Sequence, residues 1–204
     1  MEPTPAGSIS DVAGSRTIVV HLDDTLNNFT EILQQGEFPY NPADSLSEAT
    51  FAQYLQKIRS GESDPEDLSS TAFSYCRFKI HRQCWRQARA RPDGVAFLQE
   101  LRRNHWRIVL CAQRDLRLAH DCTREWLQEN DIPYDYLFVA ADKIAFCKAW
   151  GIQHLIDRAM VDTVDGGRRE INVYFSIPLA REFLPAQQAR AFQTFEEVKR
   201  WIEE

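Results

Sequence analysis

The sequence lacks three features that would direct it to a membrane, to secretion or to nucleic acid. No hydrophobic run is long enough to span a bilayer, and the first residues have neither the positive charge nor the apolar stretch of a signal peptide. Lysine and arginine are scattered through a chain of net charge -6, which argues against a basic face that binds nucleic acid. We expect a cytoplasmic protein that binds neither membranes nor nucleic acid.

The sequence also lacks the even, closely spaced cysteines of a disulfide framework. Its five cysteines each lie within an apolar or helical stretch. Buried cysteines behave as small hydrophobic residues, and cytosolic proteins keep their thiols reduced. The pattern therefore predicts free, packed thiols at Cys76, Cys84, Cys111, Cys122 and Cys147.

Strand signals are scarce in the first part of the chain. Residues 1–15 are small and polar and predict a disordered leader. Residues 27–91 predict helices, one of them starting at a capping box of Ser45 and Glu48. The arginine-rich residues 77–91 are compatible with an anionic ligand, although such runs more often form the solvated face of a helix.

One short buried strand precedes this helical stretch, and after residue 91 further strands alternate with helices. The predicted strands are residues 17–20, 107–112, 136–140, 154–157 and 171–175. The alternation predicts an α/β fold with a doubly wound, parallel, Rossmann-like sheet. Ligands of such sheets bind beyond the carboxyl ends of the strands, where this sequence has His21, Cys111 and Asp157.

Four segments in order resemble the motifs of the haloacid-dehalogenase superfamily of phosphatases. Residues 19–26 (VVHLDDTL) resemble its hydrophobic strand followed by Asp-x-Asp-x-Thr/Val, and residues 109–114 (VLCAQR) its strand ending in Thr or Ser. Asp142-Lys143 precedes a short helix, and residues 155–158 (LIDR) are similar to the family's strand ending in Asp-Asp. Residues 126–136 are similar to the 5'(3')-deoxyribonucleotidase-like branch.

The resemblance covers nearly the whole chain after residue 16 and implies a domain organisation. Residues 16–26 and 92–204 correspond to a haloacid-dehalogenase-like core. Residues 27–91 correspond to a small helical cap that the family inserts after its first strand.

The resemblance also implies roles for single residues. In the family one Asp attacks phosphorus, a second is the general acid and base, Thr or Ser and Lys hold the phosphate, and later acids hold Mg²⁺. By position, Asp23 matches the acid and base, Thr25 the threonine of the first motif, Lys143 the phosphate-binding lysine and Asp157 the first metal-binding acid. Without phosphate, Lys143 is expected to cap its helix or to pair with Asp23.

Three positions depart from the family pattern. His21 stands at the nucleophile, Cys111 at the phosphate-binding Thr or Ser, and Arg158 at the second metal-binding acid. With His21 neutral, Lys143 and Arg158 balance the two remaining acids, and imidazole is a poor ligand for Mg²⁺. We expect no cofactor, with Mg²⁺ bound only if the family mechanism survives. The candidate ligand-binding residues are Thr25, Cys111, Lys143 and Arg158.

His21 leaves four hypotheses open, of which we favour a degenerate position in a catalytically silent protein. In the others, His21 is a replacement nucleophile with Asp23 as acid, a general base in a different reaction, or a zinc ligand together with Cys111 and Asp157. We expect a pseudophosphatase that binds, regulates or scaffolds, with a phosphorylated small molecule or a protein as its partner. The alternative is an enzyme: a nucleotidase-like phosphohydrolase with an altered nucleophile, or another chemistry in the same cleft.

Overall fold

A computed structural model describes residues 16–43, 46–62, 65–112, 116–139, 142–157, 171–175 and 189–203. The predicted leader, residues 1–15, lies outside them. Within the described residues the elements, in chain order, are β1 (Thr17–His21), α1 (Phe29–Gln35), α2 (Glu48–Ser60), α3 (Pro65–Ser69), α4 (Thr71–Gln87), α5 (Pro92–Arg103), β2 (Arg107–Ala112), α6 (Leu116–Glu129), β3 (Tyr136–Val139), α7 (Lys143–Trp150), β4 (His154–Asp157), β5 (Asn172–Phe175), β6 (Ala189–Ala191) and α8 (Phe195–Glu203).

The strands form one sheet in the order β3-β2-β1-β4-β5-β6, and every pairing is parallel. The predicted doubly wound α/β fold is therefore confirmed. β1 and β4 are buried along their whole length, as expected of central strands covered by helices. The strand order reverses between β1 and β4, and open α/β sheets bind their ligands at such a switch point.

One face of the sheet packs against α7. Val19, Val109 and Leu155, from β1, β2 and β4, share an apolar cluster with Cys147 of α7. Because side chains alternate along a strand, residues two positions away from these project toward the same face. Because this cluster is buried, it determines which side chains at the strand ends face α7.

The chain divides into two compact units. The first contains the sheet and comprises the described residues within 1–27, 90–114 and 127–204, and the second comprises those within 28–89 and 115–126. In the second unit, helices pack around a cluster that includes Phe29, Phe73 and Cys84. That this helical unit serves as a cap stays a prediction. No helix in the described part of the chain is long and apolar enough to cross a bilayer.

The start of α2 differs from the expectation. Its N-cap is Ser47, whose hydroxyl accepts a hydrogen bond from the Thr50 N–H at 3.1 Å. The predicted capping box of Ser45 and Glu48 is wrong, because Glu48 is already the first helical residue, and Ser45 lies outside the described residues. Two serines within three residues offered two possible caps, and the sequence pattern alone did not separate them.

One strand was missed. From the sequence we predict the last strand at residues 171–175, and β5 occupies Asn172–Phe175, but β6 then pairs parallel with it at the edge of the sheet. The sequence of β6 is Ala-Arg-Ala, which contains none of the branched or aromatic residues that are typical of strands. Its backbone pairing, rather than its side chains, makes it a strand.

His154 begins β4 and is enclosed by aromatic side chains. Its Nδ1 lies 3.1 Å from the Tyr174 hydroxyl oxygen, its ring stacks on Tyr174, and Trp106 meets it edge-on. Burial lowers the pKa of this imidazole from its ordinary value of 6.5. The folded protein therefore holds His154 neutral at a pH where the unfolded chain binds a proton.

We expect this difference to make the protein less stable in mild acid. Because the folded pKa lies below 6.5, the contribution of His154 is complete above that pH and is lost as pH falls below it. Urea unfolding at about pH 7.5 and about pH 5.5 measures the loss. The His154→Gln variant should lose less stability between these two conditions than the wild type does, and equal losses would contradict the assignment.

Candidate functional site

Three predicted site residues lie at the carboxyl ends of neighbouring strands. His21 of β1 is in register with Cys111 of β2. Val20 pairs with Ile156 across β1 and β4, so Asp157 follows at the level of His21. His21, Cys111 and Asp157 are 1%, 2% and 1% exposed. The structure therefore gathers these three side chains at the carboxyl edge of the sheet, on both sides of the switch point.

The same side chains project toward the face that α7 covers. His21 and Asp157 each follow by two positions a residue of the cluster around Cys147, namely Val19 and Leu155. Cys111 belongs to that cluster itself. Since α7 begins at the carboxyl edge of the sheet, its first turn faces the strand ends.

Lys143, the first residue of α7, forms a buried ion pair with Asp157. The Lys143 Nζ lies 2.5 Å from Asp157 Oδ2, and the two residues are 5% and 1% exposed. The helix is well anchored, because Asp142 caps it by accepting the Ala145 N–H at 2.8 Å and Gly151 ends it in the left-handed conformation. The ammonium group that the resemblance assigns to phosphate thus has a carboxylate partner in the chain itself.

The acidic turn after β1 is closed by backbone hydrogen bonds. The Leu22 N–H donates to the Cys111 carbonyl and the Leu26 N–H to the Leu22 carbonyl, both at 2.9 Å. Asp24 lies in the left-handed region at φ 62, a conformation that aspartate tolerates better than most residues. Its N–H donates to Asn27 Oδ1 at 3.0 Å. These hydrogen bonds hold the backbone of the turn in place.

Asp23, the candidate acid and base, is tied to this turn. The Asn27 amide nitrogen donates to Asp23 Oδ1 at 3.2 Å, and both residues are buried or nearly so, at 3% and 9% exposure. Asn27 was not singled out from the sequence. The sequence feature that could have indicated Asn27 is its spacing, three residues after Asp24 and four after Asp23. A side-chain amide both donates and accepts hydrogen bonds, so at this spacing it can bind the Asp24 N–H and the Asp23 carboxylate together.

Thr25 and Arg158 complete the predicted site. Thr25 is 0% exposed, and its hydroxyl oxygen has no hydrogen-bond partner among the residues that the structure describes. Leaving a buried hydroxyl unbonded costs about 1–3 kcal/mol, so Thr25 stays a candidate to contact a bound group. Arg158 lies outside the described residues.

The cysteines are free and buried, as predicted. Burial, with Cys111 and Asp142 nearby, raises the pKa of the Cys147 thiol to about 12. A thiol with that pKa is neutral at pH 7, and the thiolate is the reactive form. Cys147 is therefore inert in the folded protein, and Cys111 lies in the same apolar cluster.

We expect the folded protein to resist alkylation at its cysteines. A brief treatment with iodoacetamide followed by mass spectrometry should find few adducts, because all five thiols are buried. The same treatment in denaturant should label all five. Rapid modification of Cys111 in the folded protein would instead mark it as a reactive thiol.

Among the described residues, the donor set at the strand ends does not fit Mg²⁺. Magnesium prefers oxygen ligands in octahedral geometry, whereas His21 offers a nitrogen and Asp157 already contacts the Lys143 ammonium. Across the described ranges, no three or more His, Cys, Asp or Glu side chains are grouped so as to hold a metal ion. The predicted zinc set of His21, Cys111 and Asp157 gains no support either.

Solved structures with a similar fold include hydrolases of the haloacid-dehalogenase superfamily. A subfamily IA hydrolase from Geobacter sulfurreducens matches with a TM-score of 0.54 and 10% identity over 91% of this chain and 98% of that one. A hydrolase from Streptococcus pneumoniae matches with a TM-score of 0.54 and 15% identity over 91% and 98%. A magnesium-bound hydrolase from Bacillus subtilis matches with a TM-score of 0.53 and 11% identity over 93% and 99%.

At these identities the likeness shows the fold. The chain has the α/β, Rossmann-like fold of the haloacid-dehalogenase hydrolases, as the sequence motifs predicted. The sequence matches no protein-family model and no curated protein.

Proposed function

We propose that this chain, built on the fold of the haloacid-dehalogenase hydrolases, does not hydrolyse phosphate esters with Mg²⁺ and instead acts as a binding or regulatory protein. The observation that carries the proposal is the buried contact between Lys143 and Asp157. The resemblance gives Lys143 to phosphate and Asp157 to the metal, and here the two side chains neutralise each other. The Asp157 carboxylate therefore takes the place of phosphate beside Lys143, and the Lys143 ammonium takes the place of the metal beside Asp157.

The position of His21 supports the same conclusion. An aspartyl-phosphate requires a carboxylate to attack phosphorus, and β1 ends in an imidazole that is 1% exposed. Attack by imidazole would need a cationic clamp for the phosphate dianion. Among the described residues at the strand ends, the Lys143 ammonium is already neutralised by Asp157, so it is poorly placed to act as that clamp.

The same charges limit which ligands the site can bind. A phosphorylated small molecule would have to compete with Asp157 for the Lys143 ammonium, and separating a buried ion pair is costly. We therefore expect inorganic phosphate to bind weakly. The nucleotidase-like segment, residues 126–136, makes deoxyribonucleoside monophosphates the first phosphate esters to test, and a protein partner is the remaining class.

The proposal is tested by rebuilding the family's acids. Hydrolysis of p-nitrophenyl phosphate and of deoxyribonucleoside monophosphates with Mg²⁺ is compared for the wild type, His21→Asp and the double variant His21→Asp/Arg158→Asp. We expect no turnover by the wild type. Activity that appears only in the double variant would support a degenerate site on an intact scaffold, whereas wild-type activity as high as that of the double variant would overturn the proposal.

A further inference from the structure

We propose that the amino edge of the sheet, where its strands begin, binds a short acidic segment of another protein that carries one large apolar side chain. The surface consists of a groove between α5 and α8 and of three exposed arginines beside it, Arg16, Arg103 and Arg107. We call it the amino-edge surface. It lies wholly within the unit that contains the sheet, at the opposite end of the strands from His21, so it does not depend on whether that site hydrolyses phosphate esters.

The floor of the groove between α5 and α8 is apolar. Phe97 and Leu101 of α5 line it, and both are buried. Trp106, which follows α5, and Ile202 of α8 also line it, and these two side chains are half-buried. A ligand that covers this floor removes apolar surface from water, which stabilises the complex, so the groove fits a large apolar side chain.

The fold brings the three arginines together although Arg16 is far from the other two in the sequence. The Arg107 N–H donates to the Arg16 carbonyl at 2.9 Å, because β1 and β2 begin side by side. Arg103 and Arg107 flank the short segment that contains Asn104 and Trp106, two residues that line the groove. All three arginines are exposed. Positive charge therefore borders the apolar groove.

The charge of these arginines is available to a partner. In the described part of the chain none of the three guanidinium groups forms an ion pair, whereas the neighbouring Arg102 is paired with Asp135 at 2.8 Å. The dipole of α5 favours a cation at its carboxyl end, which accounts for Arg103. Arg16 and Arg107 lie at the starts of strands, where the net dipole is small. Two of the three charges therefore have no role that the chain itself explains.

The acidic residues that line the groove leave this positive charge in excess. Glu100 is one of them, but the Lys199 ammonium lies 2.6 Å from its carboxylate and offsets its charge. Glu203 is the other, and it sets a single negative charge against three arginines. A segment that carries carboxylates is therefore attracted to the amino-edge surface, and an apolar residue within that segment is guided to the groove.

The combination of charge and apolar surface favours a protein segment over a nucleic acid. The net charge of -6 repels a polyphosphate at long range, and three arginines neutralise few phosphates. The apolar floor matches the side chain of leucine or phenylalanine, which a phosphate backbone lacks. Carboxylates beside that residue match the arginines, since opposite charges around an apolar centre are typical of specific protein interfaces.

The test uses fluorescence anisotropy with the full-length protein and a short labelled peptide in which glutamates flank a central leucine. It is compared with a peptide that has serine in place of the leucine, a peptide that has glutamines in place of the glutamates, and a single-stranded RNA of the same length. The variant Arg103→Gln/Arg107→Gln is compared with Arg77→Gln/Arg124→Gln. The latter removes the same charge from exposed positions of α4 and α6.

We expect the leucine peptide to bind the wild type and the control variant alike and to bind Arg103→Gln/Arg107→Gln about three- to tenfold more weakly, as two exposed ion pairs allow. The serine peptide should bind more weakly than the leucine peptide, and raised salt should weaken both. Circular dichroism checks that each variant is folded. No binding of the leucine peptide, equal binding of either altered peptide, an equal loss in the control variant, or tighter binding of the RNA would each overturn the proposal.

Discussion

Replacing Lys143 by methionine is expected to lower the free energy of unfolding by about 3–5 kcal/mol, because the buried Asp157 carboxylate loses its ammonium partner. Methionine keeps most of the length and the apolar stem of lysine, so the loss reports on charge rather than on a cavity. Urea unfolding followed by circular dichroism measures the change. Lys148→Met is the matched control, since Lys148 is exposed on the same helix and should change stability by no more than about 0.5 kcal/mol.

A double variant distinguishes the effect of an unpaired charge on stability from the effect of changed side-chain packing. In Lys143→Met/Asp157→Asn both charges are removed, so most of the stability lost in the single variant should return. A single-variant cost below about 1 kcal/mol would show that the pair is solvated, and the account of the strand ends would then be wrong.

Phe73→Ala is expected to destabilise the protein by about 3–5 kcal/mol through the helical unit. Phe73 is 1% exposed and lies in the cluster on which the helices of that unit pack. Its ring meets Tyr54 edge-on at 5.1 Å between centroids, a contact that alanine cannot make. Thermal and urea unfolding measure the change.

Tyr75→Ala is the control for this substitution, because Tyr75 lies two residues further along α4 and is 52% exposed. Its removal should change stability by about 0.5 kcal/mol or less. Equal effects of the two substitutions would mean that α4 packs with a different face.

Several elements could be predicted from the sequence because burial and helix capping require recognisable residue types at specific positions. Central parallel strands are buried on both faces, so β1 and β2 contain unbroken apolar runs with clear ends. Helix α7 is bounded by a capping residue before it and by Gly151 after it, and these signals are local. β6 could not be predicted, because its only strand feature is its pairing with β5.

The candidate site could be predicted in part. That His21, Cys111 and Asp157 come together follows from topology, since parallel strands place their carboxyl ends at one edge. That Lys143 contacts Asp157 depends on how α7 packs over the sheet, which no local pattern encodes. The amide of Asn27 that holds Asp23 was missed for a similar reason, because its role depends on the geometry of a single turn.

The central claim is that the strand ends of this fold do not perform Mg²⁺-dependent phosphate ester hydrolysis. The most direct measurement is the hydrolysis of p-nitrophenyl phosphate and deoxyribonucleoside monophosphates by the purified wild type with Mg²⁺, beside His21→Ala as the matched variant. The account predicts that both proteins release phosphate no faster than buffer. Turnover by the wild type that His21→Ala abolishes, while circular dichroism shows an unchanged fold, would contradict it and make His21 a catalytic residue.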